Sequence, residues 1–172
     1  MDIIYKTQHI SHNELVEACD LVNQGGQLSI VLNEERLRET YFLVIALSQK
    51  KVVGVSCIKK YNDIAEIGYT AVCPTHRRQK IGQHMTMMLI DHASKVNISV
   101  LCGIVHYANS ANRRKLEKLG FLKVSEFLSR SGDTTLCWYA HPLSETESQL
   151  RLLMQAFIQM REKHRGVQRK PS

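Results

Sequence analysis

AEIGYTAVCPTHRRQKIGQHMTMMLIDHA, residues 65–93, reads as one strand, one basic loop and one helix in direct succession. Residues 64–72 are apolar and β-branched enough for a buried strand, and Cys73-Pro74 ends it. Apolar residues at Ile81, Met85, Met88 and Leu89 then restart at helical spacing. Between strand and helix lie Arg77, Arg78 and Lys80, followed by Gly82. Such a junction aims several unpaired backbone N–H groups and the positive end of a helix dipole at one point in space. An anionic ligand the size of a pyrophosphate suits that point.

The other elements order themselves outward from this stretch. Ile3, Ile4 and Tyr5 predict a short first strand, and Ser11 with Glu14 three residues later forms a capping box that opens a helix. Its apolar positions Leu15, Ala18, Cys19 and Val22 keep helical spacing, with Gly25-Gly26 as the expected stop. A second short helix is expected over 33–39. The apolar run 41–47, the polar turn Gln49-Lys50-Lys51 and the β-rich run 52–58 predict two strands. They join strand 64–72 in an antiparallel meander, with Asn62-Asp63 as the second turn. Strand 64–72, the helix from Ile81 and a buried strand over 98–105 then make a right-handed parallel crossover. The switch from antiparallel to parallel leaves a cleft beside the carboxyl end of strand 64–72, a place that ligands favour.

A helix over 109–119 ended by Gly120, strands over 121–129 and 134–140, and a hairpin turn at Ser131-Gly132-Asp133 complete the sheet, which Pro142 closes. Ser144 with Glu147 forms another capping box. Leu150, Leu153, Met154, Phe157 and Ile158 then trace an amphipathic face that must be buried on the sheet or on another subunit. The expected fold is α/β of the α+β kind, a mixed and mostly antiparallel sheet of about six to seven strands flanked by helices. Residues 1–142 are expected to form the main domain, and 143–172 an appended amphipathic helix and basic tail.

The 172 residues, 44% of them hydrophobic, supply enough material for one domain with a full core. No basic start followed by an apolar run is present, and no window approaches about 18 uninterrupted apolar residues. Neither a signal peptide nor a membrane span is expected, and a cytoplasmic protein is. Cys19, Cys57, Cys73, Cys102 and Cys137 are odd in number and scattered among apolar neighbours, which fits reduced buried thiols better than a disulfide framework or a zinc ribbon. The eight histidines show no HExxH or paired CxxC spacing, so no metal is expected. A net charge of +7 favours acidic partners such as phosphorylated cofactors or nucleic acid. Part of that excess belongs to Arg161, Lys163, Arg165, Arg169 and Lys170 near the C-terminus.

Glu66 is the most informative acidic residue. A carboxylate is poorly favoured inside a strand, and alternation puts this one on the same face as Gly68 and Thr70. It reads either as an edge-strand charge facing water or as a general base, whose pKa partial burial would raise toward that task. Met85, Met87 and Met88 read as core filling, Trp138 as core, and Arg113, Arg114, Lys115 and Lys118 as a solvated helix face.

The order of elements, with three local motifs, resembles the GNAT superfamily of acyl-CoA-dependent N-acetyltransferases over roughly residues 1–140. Arg77-Arg78-Gln79-Lys80-Ile81-Gly82, with Gln83 after it, resembles the family's Q/R-x-x-G-x-G/A loop, whose backbone N–H groups hold the CoA pyrophosphate. AEIGYTAVCP resembles the splayed strand that leads into that loop, with Ala71 and Val72 where the family's main chain pairs with pantetheine. Asn109 followed by Leu116-Glu117-Lys118-Leu119-Gly120-Phe121 resembles the N-x-x-A-x-x-x-Y-x-x-x-G-F segment on the other side of the CoA arm. Lys80 stands at the family's first loop glycine, and Leu116 stands where many members carry the tyrosine that protonates the leaving thiolate. The resemblance implies direct transfer of acetyl from acetyl-CoA to a primary amine, with no metal. Glu66 is then the base, the Val72 N–H the oxyanion donor, Asn109 a contact to the CoA arm, and Tyr107 the replacement acid.

Two other classes compete. The basic tail would serve a nucleic-acid-associated acyltransferase, although no RNA-recognition motif or aromatic interleaving accompanies it. Leu116 keeps open a degenerate acyl-CoA-binding module. Selectivity for the amine is expected from residues 25–41 and from the last hairpin, where Gln27, Asn33, Glu34 and Glu35 offer a polar lip. Both a monomer and a homodimer are compatible with the amphipathic C-terminal helix.

Overall fold

The computed structural model describes residues 2–25, 31–128, 135–143 and 146–166. In chain order they form β1 (Ile4–Lys6), α1 (His12–Gln24), α2 (Glu34–Arg38), β2 (Phe42–Ser48), β3 (Lys51–Tyr61) and β4 (Ile64–Val72). A short 3-10 turn at Pro74–His76 leads to α3 (Ile81–Lys95), β5 (Val100–His106), α4 (Ser110–Lys118), β6 (Leu122–Leu128), β7 (Thr135–Pro142) and α5 (Glu147–Gly166). The strands form one 7-stranded sheet in the order β1-β2-β3-β4-β5-β7-β6. Among the described residues only the β4–β5 pair is parallel. The mixed, mostly antiparallel α/β fold is the one expected.

Local chemistry explains the element ends. Ser11 Oγ accepts the Glu14 amide while the Glu14 carboxylate accepts the Ser11 amide at 2.6 Å, the reciprocal box that opens α1. Asn33 caps α2 in the same way through the Arg36 amide. Gln49 and Lys50 both take positive φ between β2 and β3, the left-handed pair that matches strand twist in a tight hairpin. Asn62 does so between β3 and β4. Gly25 sits at the end of α1 in an ordinary right-handed conformation, and Gly26 lies outside the described residues. So do the expected turn at Ser131-Gly132-Asp133, the expected cap at Ser144 and the basic tail from residue 167. At the start of α5, the Thr146 amide and hydroxyl both donate to Gln149 Oε1.

The two sheet faces carry different helices. On one, α3 and α4 cover Val44, Val53, Ile58, Ala65, Leu101 and Tyr139. Gly54 lets α3 approach closely, since a Cβ there would meet Ile81 Cγ2 at 3.0 Å and Met85 Cε at 3.1 Å. On the other face, α1 and α2 bury Leu15, Ala18, Val22 and Leu37 against Ile45 and Val55. Beside them α5 buries Leu150, Met154 and Phe157 against Ile64, Val100 and Trp138. The amphipathic helix therefore packs on the chain's own sheet. Met85 is fully buried, but Met87 is not core: it is 47% exposed, because its helical phase turns it away from the sheet.

Candidate active site

β4 and β5 pair from Ile64↔Val100 to Ile67↔Gly103 and then separate. Beyond that point β4 stays bonded to β3 as far as Val72, while β5 stays bonded to β7 as far as His106. The divergence has a local cause. Between Val55 and Cys57 the β3–β4 register slips, and Tyr69 there adopts φ 47. An extra residue in one strand bends it and increases its twist, so the bulge swings β4 away from its parallel neighbour.

The bulge also reassigns faces. Gly68 remains on the α1/α5 face with Lys59, whereas Thr70 is turned to the opposite face, where its hydroxyl lies 2.7 Å from Ser56 Oγ. Strict alternation, which would group Thr70 with Glu66, fails for this reason. Tyr69 and Ala71 instead pack against the α1 cluster, and Val72 against α3.

Past the bulge the Cys73 amide donates to the Val53 carbonyl at 2.8 Å. Successive strand amides point to opposite edges, so the Val72 N–H is aimed into the gap between β4 and β5. Immediately beyond, Arg77, Arg78, Gln79 and Lys80 are exposed. Arg77 Nε turns back to the Val72 carbonyl at 3.5 Å. Arg78 and Lys80 are left-handed, with φ 66 and 60. Lys80 is the residue from which α3 starts, and among the described residues no side chain caps that helix. The first bond closing the helix runs from the His84 amide to the Lys80 carbonyl, so the amides of Ile81, Gly82 and Gln83 lack helical partners. The Ile81 side chain is core at 1% exposure, which leaves only its backbone to face a ligand. A Cβ on Gly82 would make ordinary contact with Val72 Cγ2 at 3.5 Å, so nothing within the fold demands glycine there.

Glu66 sits in a central strand, between Lys59 on β3 and Cys102 on β5, and is 7% exposed. An edge-strand position facing water is thereby excluded. The Cys57 thiol beside it is pushed up to about 12 by burial, with the Lys59 charge pulling it down and Glu66 pushing it up.

On the other side of the gap, Asn109 Oδ1 accepts the Asn112 amide at 3.1 Å and so serves as the cap of α4. Tyr107, just past β5, is 48% exposed, with the Arg113 guanidinium 4.5 Å above its ring. Leu116 is 3% exposed and belongs to the core. Behind it the buried Tyr139 hydroxyl donates to Glu117 Oε1 at 2.8 Å, and burial and that carboxylate push the phenol up to about 12. Arg113 and Lys115 are half-buried and therefore do not belong to a solvated face. The bulge residue Tyr69 and its neighbour Lys59 escaped sequence reasoning, although Gly68 inside a strand was a usable sign of a bulge. Among the described residues no group of three His, Cys, Asp or Glu is arranged to hold a metal ion.

A parallel strand pair opened beside a basic helix start places an unpaired strand edge next to backbone amides that suit an anionic ligand. The chain belongs to the acetyltransferase (GNAT) family, whose model matches residues 11–121. It is an acyl-CoA-dependent acetyltransferase, and acetyl-CoA is its cosubstrate. Among solved structures it is similar to the ribosomal-protein-S18-alanine N-acetyltransferase of Escherichia coli, with a TM-score of 0.67 and 20% identity over 83% of this chain and 96% of that one. A chain of the NatC complex, solved with Gag peptide and CoA, gives 0.72 and 20% identity, with coverage of 84% and 100%. Salmonella typhimurium yncA, solved with its cofactor acetyl-CoA, gives 0.71 and 14%, with coverage of 85% and 96%. At such identities the likeness speaks for the fold alone. No curated protein sequence matches the chain.

Proposed function

We propose that the protein is an N-acetyltransferase that passes acetyl from acetyl-CoA to a primary amine by direct attack within a ternary complex. The observation that carries this reading is the Val72 amide, aimed into the β4–β5 gap directly before the uncapped start of α3. Ala71 and Val72 would pair with the pantetheine arm. The amides of Ile81, Gly82 and Gln83, with the charges of Arg77, Arg78 and Lys80 and the amide of Gln79 nearby, suit the pyrophosphate. Asn109 would contribute through its amide nitrogen, since its oxygen is engaged in capping α4.

An amine is protonated at neutral pH and cannot attack until it loses a proton. Glu66, a buried carboxylate in the central strand on the α1/α5 face, takes that proton. The nitrogen then bonds to the thioester carbon, negative charge gathers on the carbonyl oxygen and is met by the Val72 N–H, and the C–S bond breaks. The sulfur leaves with the electron pair and takes a proton, for which Tyr107 just past β5 is our candidate donor, Leu116 having no proton to give. The second proton that the nitrogen sheds as the amide forms passes to solvent and makes good the one Tyr107 gives. The five free cysteines fit a reducing, cytoplasmic setting.

Calorimetric titration with acetyl-CoA, beside a Gly82→Val variant, tests the reading. Micromolar binding that the variant loses, followed by acetylation of a member of a primary-amine panel, is the expected result. Absence of binding to the native chain would overturn it.

A further inference from the structure

A buried hydroxyl at the β3–β4 bulge fixes the direction of an exposed one beside it. Ser56 is fully buried, and among the described residues its Oγ has one hydrogen-bond partner, Thr70 Oγ1 at 2.7 Å. A hydroxyl carries one hydrogen and two acceptor lone pairs, and a buried donor is seldom left unpaired. The Ser56 hydrogen therefore goes to Thr70, and Thr70 keeps its own to give. Among the described residues the acceptor nearest to it is the Gly68 carbonyl at 3.5 Å, which already takes the Cys57 thiol at 3.3 Å. That contact is longer than the roughly 2.5–3.0 Å of an ordinary hydroxyl bond and is readily given up.

Thr70 is the one exposed residue of β4. β4 and β5 part after Ile67↔Gly103, and Leu116 covers that vertex, so Thr70 stands on the open edge between the vertex and Val72. A hydroxyl pair that served packing alone would be closed at both ends, and this one is closed at Ser56 and open at Thr70. The Thr70 side chain lies on the α3/α4 face, opposite to that of Glu66. In the mechanism above, the amine freed at Glu66 reaches the thioester from the α1/α5 side. As its nitrogen bonds, the carbon becomes tetrahedral and its other three substituents bend away from the nucleophile. The carbonyl oxygen, gathering negative charge, thus moves toward the face that carries Thr70. A contact that improves during attack lowers the barrier rather than only tightening binding.

The geometry points to Thr70 Oγ1 as a second donor to the thioester carbonyl oxygen, beside the Val72 N–H, with Ser56 as the positioning residue that aims it. This assignment rests on the N-acetyltransferase reading. No proton changes hands: the hydroxyl shares its hydrogen with the oxyanion while the tetrahedral species exists, and the bond slackens when the carbonyl re-forms and the C–S bond breaks.

Calorimetric titration of the full chain with acetyl-CoA, followed by difference infrared spectra of bound acetyl-CoA isotopically labelled at its carbonyl carbon, tests it. The thioester carbonyl stretch should lie lower on the native protein than on Thr70→Val, and Thr70→Ser, which keeps the hydroxyl, should restore it. With an amine that the panel identifies, Thr70→Val should lower kcat by roughly 10²–10³-fold while acetyl-CoA affinity stays within about threefold. Ser56→Ala should lower kcat by less, and should add nothing to the loss in Thr70→Val, because the two hydroxyls act as one unit. Far-ultraviolet circular dichroism reads folding. The double variant removes both partners and leaves no buried donor unpaired, so it takes the place of Thr70→Val if that variant alone unfolds. A stretch that is the same on native protein and on Thr70→Val, or a kcat that Thr70→Val leaves unaltered, overturns the proposal while acetyl-CoA still binds. Failure of the native chain to bind acetyl-CoA defeats the enzymatic reading at the first titration, and the proposal with it.

Discussion

Leu116 Cδ1 stands 3.5 Å from where a Cβ would lie on Gly103, and Gly103 is the last β5 residue paired with β4. A hydrocarbon side chain from α4 thus covers the vertex at which the two strands part. A tyrosine there would bring a hydroxyl to the vertex, and leucine brings none. Leu116→Tyr should raise kcat by supplying a proton donor to the leaving sulfur, at a cost of about 1–3 kcal/mol for overpacking a buried site. Steady-state kinetics and a denaturation curve on the same preparation read both effects. Tyr107→Phe should lower kcat without changing acetyl-CoA affinity. An unaltered kcat in both variants would show that protonation of the thiol needs no side chain.

Replacing Glu66 by Gln keeps the shape of the side chain and removes its basicity. The expected loss in kcat is roughly 10²–10⁴-fold. In the proposed role of base toward the amine, the deficit should shrink as pH rises and the free amine becomes abundant. A pH–rate profile of variant and native enzyme decides it, and parallel profiles would remove Glu66 from the chemistry.

Lys80 holds φ 60 at the start of α3, a conformation that costs a non-glycine residue about 1–2 kcal/mol. Glycine would relieve that strain but lose about 0.5–1 kcal/mol to its greater freedom when unfolded. Lys80→Gly should therefore leave stability equal or up to about 1 kcal/mol higher. Its affinity for acetyl-CoA should fall, most clearly at low ionic strength, because a charge is lost from the loop proposed to hold the pyrophosphate. Titrations at two salt concentrations separate the charge from the backbone effect.

Burial pushes the Lys115 amine down to about 8 from an ordinary lysine value of 10.5. Below pH 8 the ammonium is carried by folded and unfolded chains alike, and the folded state bears the full cost of burying it. Between those two values the unfolded chain binds more protons, so stability rises with pH across that window. Lys115→Met should stabilise the protein by about 1–3 kcal/mol at pH 7, and the gain should fade by about pH 10. Urea denaturation at both pH values provides the comparison, and a gain independent of pH would contradict it.

Much of this architecture was legible residue by residue. The Ser11–Glu14 box, the burial of Leu15, Ala18, Cys19 and Val22, the bounds of β4 and the loop into α3 all depend on interactions within a few positions along the chain. Local periodicity and capping chemistry therefore determine them, and so does the basic character of the α3 start. What tertiary structure alone decided is which groups meet. The bulge at Tyr69 arises from pairing with β3, and it turns Thr70 to one face and opens the gap that receives the Val72 amide. A shallow cleft beside α2 gathers Arg36, Lys59 and Tyr69 from three separate elements. No periodicity encodes such a meeting, because it depends on the register between strands and on which helix covers which face, and both are properties of the folded sheet as a whole.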